Sequence, residues 1–357
     1  MHRLTARRPR MRVDLAAVVA NWRRVRAVVP HAGVAAVLKR DAYGLGLEPV
    51  ARALAAEGCR VFLAADRAEA LRLRRVAPDA EVLVLDPAGG AYATGLVPVV
   101  ATLDGLACAP PGPVALLIDS GIGRLGLTGA EVARLADDPS LLAGRTLRLV
   151  MTQLAGYTRP EDKENRAQLA AFRALAARLP NAPLSAATSS FTFAGPDWHL
   201  DLVRVGSALF GVRTAAVPGY DPQPVVRVEA PVVAVRTLAA GEPLGYYRCR
   251  AGRPTRIATL ALGYADGLPA GFTERALGYV DGRPVQFVAE ATMTLATIDA
   301  SGLPPGRPAP GDWVEVIGPN QDANALGARL EINPNRLLTG FGASLRRTYA
   351  PAAGVPR

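Results

Sequence analysis

The chain has 357 residues, half of them apolar, and a formal net charge of +10. That length suffices for two domains, or for one large barrel with an appendage. No apolar run reaches the ~18 residues that a membrane-spanning helix needs. Three scattered cysteines (Cys59, Cys108, Cys249) and three scattered histidines (His2, His31, His199) offer neither a disulfide framework nor a metal-ligand cluster. The positive charge lies on arginines spread along the chain, with no basic block interleaved with aromatics. It therefore suits attraction of small anions better than nucleic-acid binding.

Residues 1–11 are basic with no apolar signal core behind them; they read as a tail, or as a strand joining the C-terminal domain, and the cytoplasm is the expected compartment. Next, 34–38 reads as a buried strand and 48–57 as a helix. A strand at 61–65 and a helix at 67–76 follow, then strands at 82–85, 99–101 and 114–118. Further strand–helix units centre on Leu147, Leu149 and Met151, and on 185–189. Apolar strands alternating with amphipathic helices predict a parallel sheet covered on both faces. About eight strands fit before residue 225, which suits a (β/α)8 barrel.

After Pro218-Gly219-Tyr220-Asp221-Pro222 the pattern turns β-like, with runs at 225–235, 255–262, 278–288 and 313–317 separated by Gly/Pro turns. The expected architecture is α/β: an N-terminal (β/α)8 TIM-type barrel over 12–225 and a C-terminal β-rich domain over 226–357. Residues 304–310 read as a Pro/Gly-rich surface loop.

Lysine occurs only at Lys39 and Lys163. Arginine stays protonated and does not form an imine under ordinary conditions, so imine chemistry has two candidates. Lys39 directly follows the first predicted barrel strand, and carboxyl ends of barrel strands hold catalytic groups. A lysine there also snorkels to water in many proteins. The flanking Tyr43-Gly44-Leu45-Gly46, with a hydroxyl and permissive backbone, favours the functional reading.

At this point the motifs become specific. Lys39-Arg40-Asp41-Ala42-Tyr43-Gly44-Leu45-Gly46 resembles the K-A-D-A-Y-G-H-G segment of the alanine racemase family. Arg12-Val13-Asp14-Leu15 with Asn21 is similar to that family's opening strand and helix. Asp119-Ser120-Gly121-Ile122-Gly123-Arg124-Leu125-Gly126 is similar to D-T-G-M-x-R-L-G. The segment Asp201 to Gly211 is similar to D-x-V-R-P-G-I-A-L-Y-G, and Gly263-Tyr264-Ala265-Asp266-Gly267 matches G-Y-A-D-G. The blocks run in the family's order across roughly 12–349.

This resemblance implies a barrel that binds pyridoxal 5′-phosphate (PLP) and a homodimer with shared active sites. It implies Lys39 as cofactor lysine and first base. Tyr264, from the neighbouring subunit, would be the second base on the opposite face, though a lone tyrosine in this block otherwise reads as a turn aromatic. Arg204 would face the pyridine nitrogen and discourage its protonation; pairing with Asp201 is the ordinary alternative. Tyr43, Ser189, Gly206 and Ser207 would hold the phosphate, and Arg124 with the backbone at Met293 the substrate carboxylate. Plain core filling is the other reading of Met293.

Several positions depart from the family pattern. Leu117 stands where a lysine supports the arginine, and Gln153 where a histidine contacts the catalytic tyrosine. Ser185 and Thr188 replace a histidine and an asparagine, and Asn335 falls about where an entrance tyrosine stands. Tyr157, Tyr246 and Tyr247 are candidates for compensation. The expected function is racemisation of L- and D-alanine, with no metal, nucleic-acid or membrane partner. The alternatives are racemisation of a larger or polar amino acid and a weakly active PLP-binding paralogue; Lys39 and Tyr264 together argue against the latter.

Overall fold

A computed structural model describes residues 8–86, 95–246 and 249–350. Among the described residues the first elements are strand β1 (Arg10–Asp14) and a helix over Leu15–Val28. Eight short strands follow: β2 (Gly33–Val37), β3 (Val61–Ala64), β4 (Glu81–Val84), β5 (Val97–Val100), β6 (Gly112–Ile118), β7 (Arg145–Thr152), β8 (Leu184–Ser185) and β9 (Leu202–Val205). They form one sheet in the order β8-β7-β6-β5-β4-β3-β2-β9, with parallel pairings. The sheet's two ends meet: Asp201 N–H donates to the Leu184 carbonyl at 3.1 Å, and Arg204 N–H to that of Ala187 at 3.0 Å. The result is an eight-stranded parallel barrel.

Its interior is an apolar plug. Ala35, Val37, Leu63, Leu83, Val97, Val99, Ala115, Leu149, Met151 and Leu202 pack together, with Tyr43 and Leu117 against them. With these inward residues packed together and the outward ones covered by helices, both faces are buried, which is why the strands read as continuous apolar runs. The outer helices are amphipathic. The helix Leu47–Ala56 buries Leu47, Val50, Ala51 and Leu54, one helical face. The helix Arg67–Val76 is capped by the Asp66 side chain, which accepts from Glu69 N–H. Such a cap stabilises a helix by about 1 kcal/mol.

The second sheet holds β10 (Val226–Leu238), β11 (Thr255–Leu260), β12 (Leu277–Val280), β13 (Arg283–Val288), β14 (Ala296–Asp299), β15 (Trp313–Ile317) and β16 (Arg346–Ala350). The first part of β10 pairs with β1 and β15, and the part from Val232 onward, with a bulge between Val232 and Ala234, pairs with β11. Six strands, β11-β14-β13-β12-β15-β10, thereby close a ring, with β1 and β16 extending it.

Three details differ from the sequence expectation. The barrel boundary at residue 12 falls inside β1, which pairs with β10 and β16 and buries Met11 and Val13 in the second sheet. Among the described residues, one compact unit holds 8–14 with 224–350 and the other holds 15–223. The run 185–189 divides into the end of β8 and a helix over Ser189–Phe193. The run 278–288 is a hairpin, turning at Asp281 (φ 49°) and Gly282 (φ 77°), an Asp-Gly turn that suits the strand twist. Among the described residues, no helix is long and apolar enough to cross a membrane, and no cluster of three His, Cys, Asp or Glu side chains is arranged to hold a metal.

Candidate active site

Lys39 follows Leu38 at the carboxyl end of β2, in the barrel mouth. The backbone then turns left-handed over consecutive residues Arg40, Asp41, Ala42 and Tyr43, with φ between 54° and 56°. Each such residue costs roughly 1–2 kcal/mol against the right-handed alternative, so the turn must be imposed by its surroundings. Buried Glu69 supplies much of the restraint, accepting from Asp41 N–H at 2.7 Å and Ala65 N–H at 2.9 Å. The Asp41 carboxylate takes Leu47 N–H at 2.9 Å and Arg72 at 3.0 Å. Arg72 also grips Glu48 through two 2.6 Å bonds. Lys39 remains exposed at the rim, yet enclosure on its inner side lowers its pKa, reinforced by the positive charges of Arg124, Arg204 and Arg40. Lys163 begins the outer helix Lys163–Ala176 and is exposed.

Arg204 projects from β9 and is buried. Its guanidinium donates to the Ser185 carbonyl at 3.0 Å, the Ser185 hydroxyl at 2.6 Å and the Thr152 carbonyl at 2.5 Å. All three partners are neutral. Asp201, the suspected ionic partner, instead accepts from Leu184 N–H at 2.7 Å. Burial without a carboxylate brings the Arg204 pKa down to about 10.

Beside Arg204 lies a small polar cradle. Ser189 Oγ accepts from Gly206 N–H at 3.3 Å and Ala208 N–H at 3.1 Å. The Tyr43 ring lies so close to Gly206 that any Cβ there would collide with its hydroxyl, and it packs on Phe210 with ring centres 5.0 Å apart. Burial, and then the neighbouring Tyr220, push the Tyr43 pKa up. Ser207 is buried in the same turn.

Arg124 sits in the loop after β6. The Asp119 carboxylate gathers the N–H groups of Gly121, Ile122, Gly123 and Arg124 at 2.8 to 3.2 Å. Burial works against ionisation of Asp119, but these donors outweigh it and lower its pKa. The Arg124 side chain is exposed. Lys39, Tyr43, Arg124, Ser189, Arg204, Gly206 and Ser207 thus all lie in the barrel unit, at or beyond carboxyl ends of strands.

In the β-rich unit, Tyr264 and Met293 lie side by side although their segments are distant in sequence. Tyr264 N–H donates to the Thr292 carbonyl and Ala265 N–H to that of Met293, each at 3.0 Å. Both side chains are mostly exposed, at 55% and 57%, which excludes core filling for Met293. Gly263 is required there, since a Cβ would strike the Met293 carbonyl.

Two family models divide the chain between them: the N-terminal domain of alanine racemase matches residues 13–214, and the C-terminal domain of alanine racemase matches residues 225–349. The chain belongs to the alanine racemase family. An alanine racemase of Acidiphilium cryptum is 39% identical over 95% of this chain and 98% of its own length. One of Rhodospirillum rubrum is 38% identical over 94% of each. The crystal structure of the Bartonella henselae alanine racemase, described as having covalently bound pyridoxal phosphate, superposes with a TM-score of 0.89. It shares 31% identity and covers 96% of this chain and all of its own.

The departures from the alanine racemase pattern now have surroundings. Leu117 packs against the apolar barrel interior. Ser185 donates to the Leu202 carbonyl at 2.6 Å while accepting from Arg204. Gln153 is half-buried and makes a 3.4 Å bond to the next residue's carbonyl. Thr188 precedes the Ser189–Phe193 helix, and Asn335 lies in the first turn of the helix Pro334–Ser344. Tyr157 and Tyr246 are exposed, and Tyr247 lies outside the described residues. Sequence reasoning missed Tyr220, which is buried, donates to the Val212 carbonyl at 2.7 Å and contacts Ser189. Its segment reads as a turn between domains, and nothing local distinguishes a turn tyrosine from one folded back into a cradle.

Proposed function

We propose that this protein is a PLP-dependent alanine racemase that interconverts L- and D-alanine. Lys39 and Tyr264 of the partner subunit are its two bases, in a homodimer with shared active sites. The names of the relatives support the activity, and the Bartonella henselae structure supports the cofactor.

The barrel mouth fits that group. A hydroxyl-and-amide cradle at Tyr43, Ser189, Gly206 and Ser207 suits a phosphate. A lysine with lowered pKa suits covalent attachment to an aldehyde carbon. When bound, PLP supplies an electron sink for the pair left on Cα after its proton departs. The single observation that carries the reading is Arg204: a buried cation whose partners are all neutral. Such a group donates to a ring nitrogen but accepts no proton from it. Against a bound PLP ring, Arg204 would hold that nitrogen unprotonated and so limit side reactions.

The remaining chemistry belongs to side chains. Arg124 fixes the substrate carboxylate, assisted by the Met293 backbone. The Lys39 amine would take the Cα proton from one face. Tyr264 of the partner subunit delivers its hydroxyl proton to the other, and the reverse direction exchanges these roles. Each turnover inverts one centre, and the proton gained by Lys39 returns through solvent to the Tyr264 phenolate before the next turnover in the same direction.

The test is a chiral-product screen of the PLP-loaded protein against the common L-amino acids. D-alanine should be the leading product; absence of any conversion would overturn the reading. A second reading, racemisation of a larger or polar amino acid, draws on one feature. A cavity of about 760 Å3 beside Tyr264 is also lined by Glu274 and Glu290. In that case the same screen returns another D-amino acid as leading product.

A further inference from the structure

Ser120 and Thr152 stand at the carboxyl ends of the neighbouring strands β6 and β7, with hydroxyl oxygens 2.8 Å apart. Thr152 is fully buried, and its hydroxyl donates to the Ile118 carbonyl at 2.9 Å. A threonine hydroxyl has one proton. With that proton committed to Ile118, Ser120 must be the donor to Thr152. Ser120 is the residue immediately after Asp119, whose carboxylate closes the turn carrying Arg124. The base of the loop is pinned as well: Asp119 N–H donates to the Leu127 carbonyl at 3.0 Å and Leu127 N–H to that of Leu117 at 2.8 Å. On its other side Thr152 offers its backbone carbonyl to Arg204 at 2.5 Å. One residue therefore touches both the strand end that launches the Arg124 turn and the guanidinium of Arg204. Leu117, the neighbour of Ile118 on β6, holds the loop base through its backbone carbonyl, while its side chain packs against the apolar barrel interior.

We propose that Thr152 is a positioning residue for substrate-carboxylate binding: its hydroxyl, through Ser120 and the Ile118 carbonyl, holds the Arg124 turn in register with Arg204. This rests on the reading of Arg124 as the carboxylate-binding group. The two ends are separable by mutation, because Arg204 uses the backbone of Thr152 and Ser120 uses its side chain.

Propionate, a carboxylate without the amino group, is titrated calorimetrically into PLP-loaded wild type, Thr152→Val, Thr152→Ser, Ser120→Ala and Arg124→Ala. Thr152→Val keeps the shape and removes the hydroxyl. It should weaken propionate about fivefold, the equivalent of one ordinary hydrogen bond. KM for alanine should rise by a similar factor with kcat nearly unchanged, while PLP affinity and the bound cofactor's absorbance stay as in wild type. Thr152→Ser should restore wild-type binding, and Ser120→Ala should reproduce part of the loss should Thr152→Val fail to fold. Unchanged propionate affinity in both Thr152→Val and Ser120→Ala overturns the proposal. So does a parallel loss of PLP affinity, which marks general loosening. If Arg124→Ala abolishes propionate binding and the hydroxyl variants do not alter it, only this inference falls. If Arg124→Ala binds propionate normally, the reading of Arg124 falls with it.

Discussion

Gly206→Ala probes the proposed cofactor cradle at its tightest point. The added Cβ would overlap the Tyr43 hydroxyl and stand 2.8 Å from Cζ and 3.0 Å from Cε2. Carbon atoms prefer about 3.5–4.0 Å, so something must move by about 1 Å. Tyr43 has little freedom, because its ring packs on Phe210 and its backbone is locked in the left-handed turn. Gly206 has no positive φ, so the penalty is steric and not conformational. Overpacking of this kind costs roughly 1–3 kcal/mol. For a unit of this size that is a fall in Tm of roughly 2–12 °C. If the strain is relieved only by distorting the cradle, it appears as a rise of roughly 5- to 150-fold in the PLP dissociation constant. Thermal denaturation of the cofactor-free protein and absorbance titration with PLP measure the two parts. Adding Tyr43→Phe removes the oxygen in the worst contact, so the double variant should recover part of the lost stability. A Gly206→Ala protein with unchanged Tm and unchanged PLP affinity, or strict additivity with Tyr43→Phe, would refute the reasoning.

Borohydride reduction of the PLP-loaded protein followed by peptide mapping should label Lys39; label at Lys163 instead would end the assignment of the cofactor lysine. Because enclosure and then Arg124 lower the Lys39 pKa, its neutral amine should appear at lower pH than an ordinary lysine's. Arg124→Gln should move the pH profile of its reaction with pyridoxal upward, and a shift downward or none would contradict that electrostatic account. Mixing Lys39→Ala with Tyr264→Phe protein should restore some activity through hybrid dimers; none after proven subunit exchange would exclude shared sites. Arg204→Glu places a carboxylate where Arg204 has neutral partners, and transamination should rise relative to racemisation; an unchanged product ratio would show that Arg204 is not against the cofactor ring.

Much of the fold was legible in one dimension because its signals are local. Apolar runs of four to eight residues between amphipathic helices can hardly be anything but a covered parallel sheet, and β2 through β7 lie close to where the runs predict them. The Lys39 segment and the Gly263 to Gly267 block stand out through their resemblance to blocks of the alanine racemase family. Residues 1–11 stay open between a tail and a strand joining the C-terminal domain, because composition does not report pairing. Nothing within Arg10–Asp14 tells the strand that its partners are β10 and β16, more than 200 residues away.

What only the tertiary structure decided is how each side chain is partnered. Arg204 and Asp201 are three residues apart and read naturally as an ion pair. Yet the arginine turns to Ser185 and Thr152, because successive barrel strands bring those carbonyls beside it, while Asp201 satisfies a backbone N–H on the neighbouring strand. The left-handed turn after Lys39 runs against the local preference of four non-glycine residues and persists through Glu69, about thirty positions on. Tyr220 and Thr152 owe their places to the same cause. Periodicity reports which face of an element is buried. A hydrogen bond depends on which atoms arrive within about 3 Å of one another, and in a closed barrel those atoms come from strands far apart in the chain.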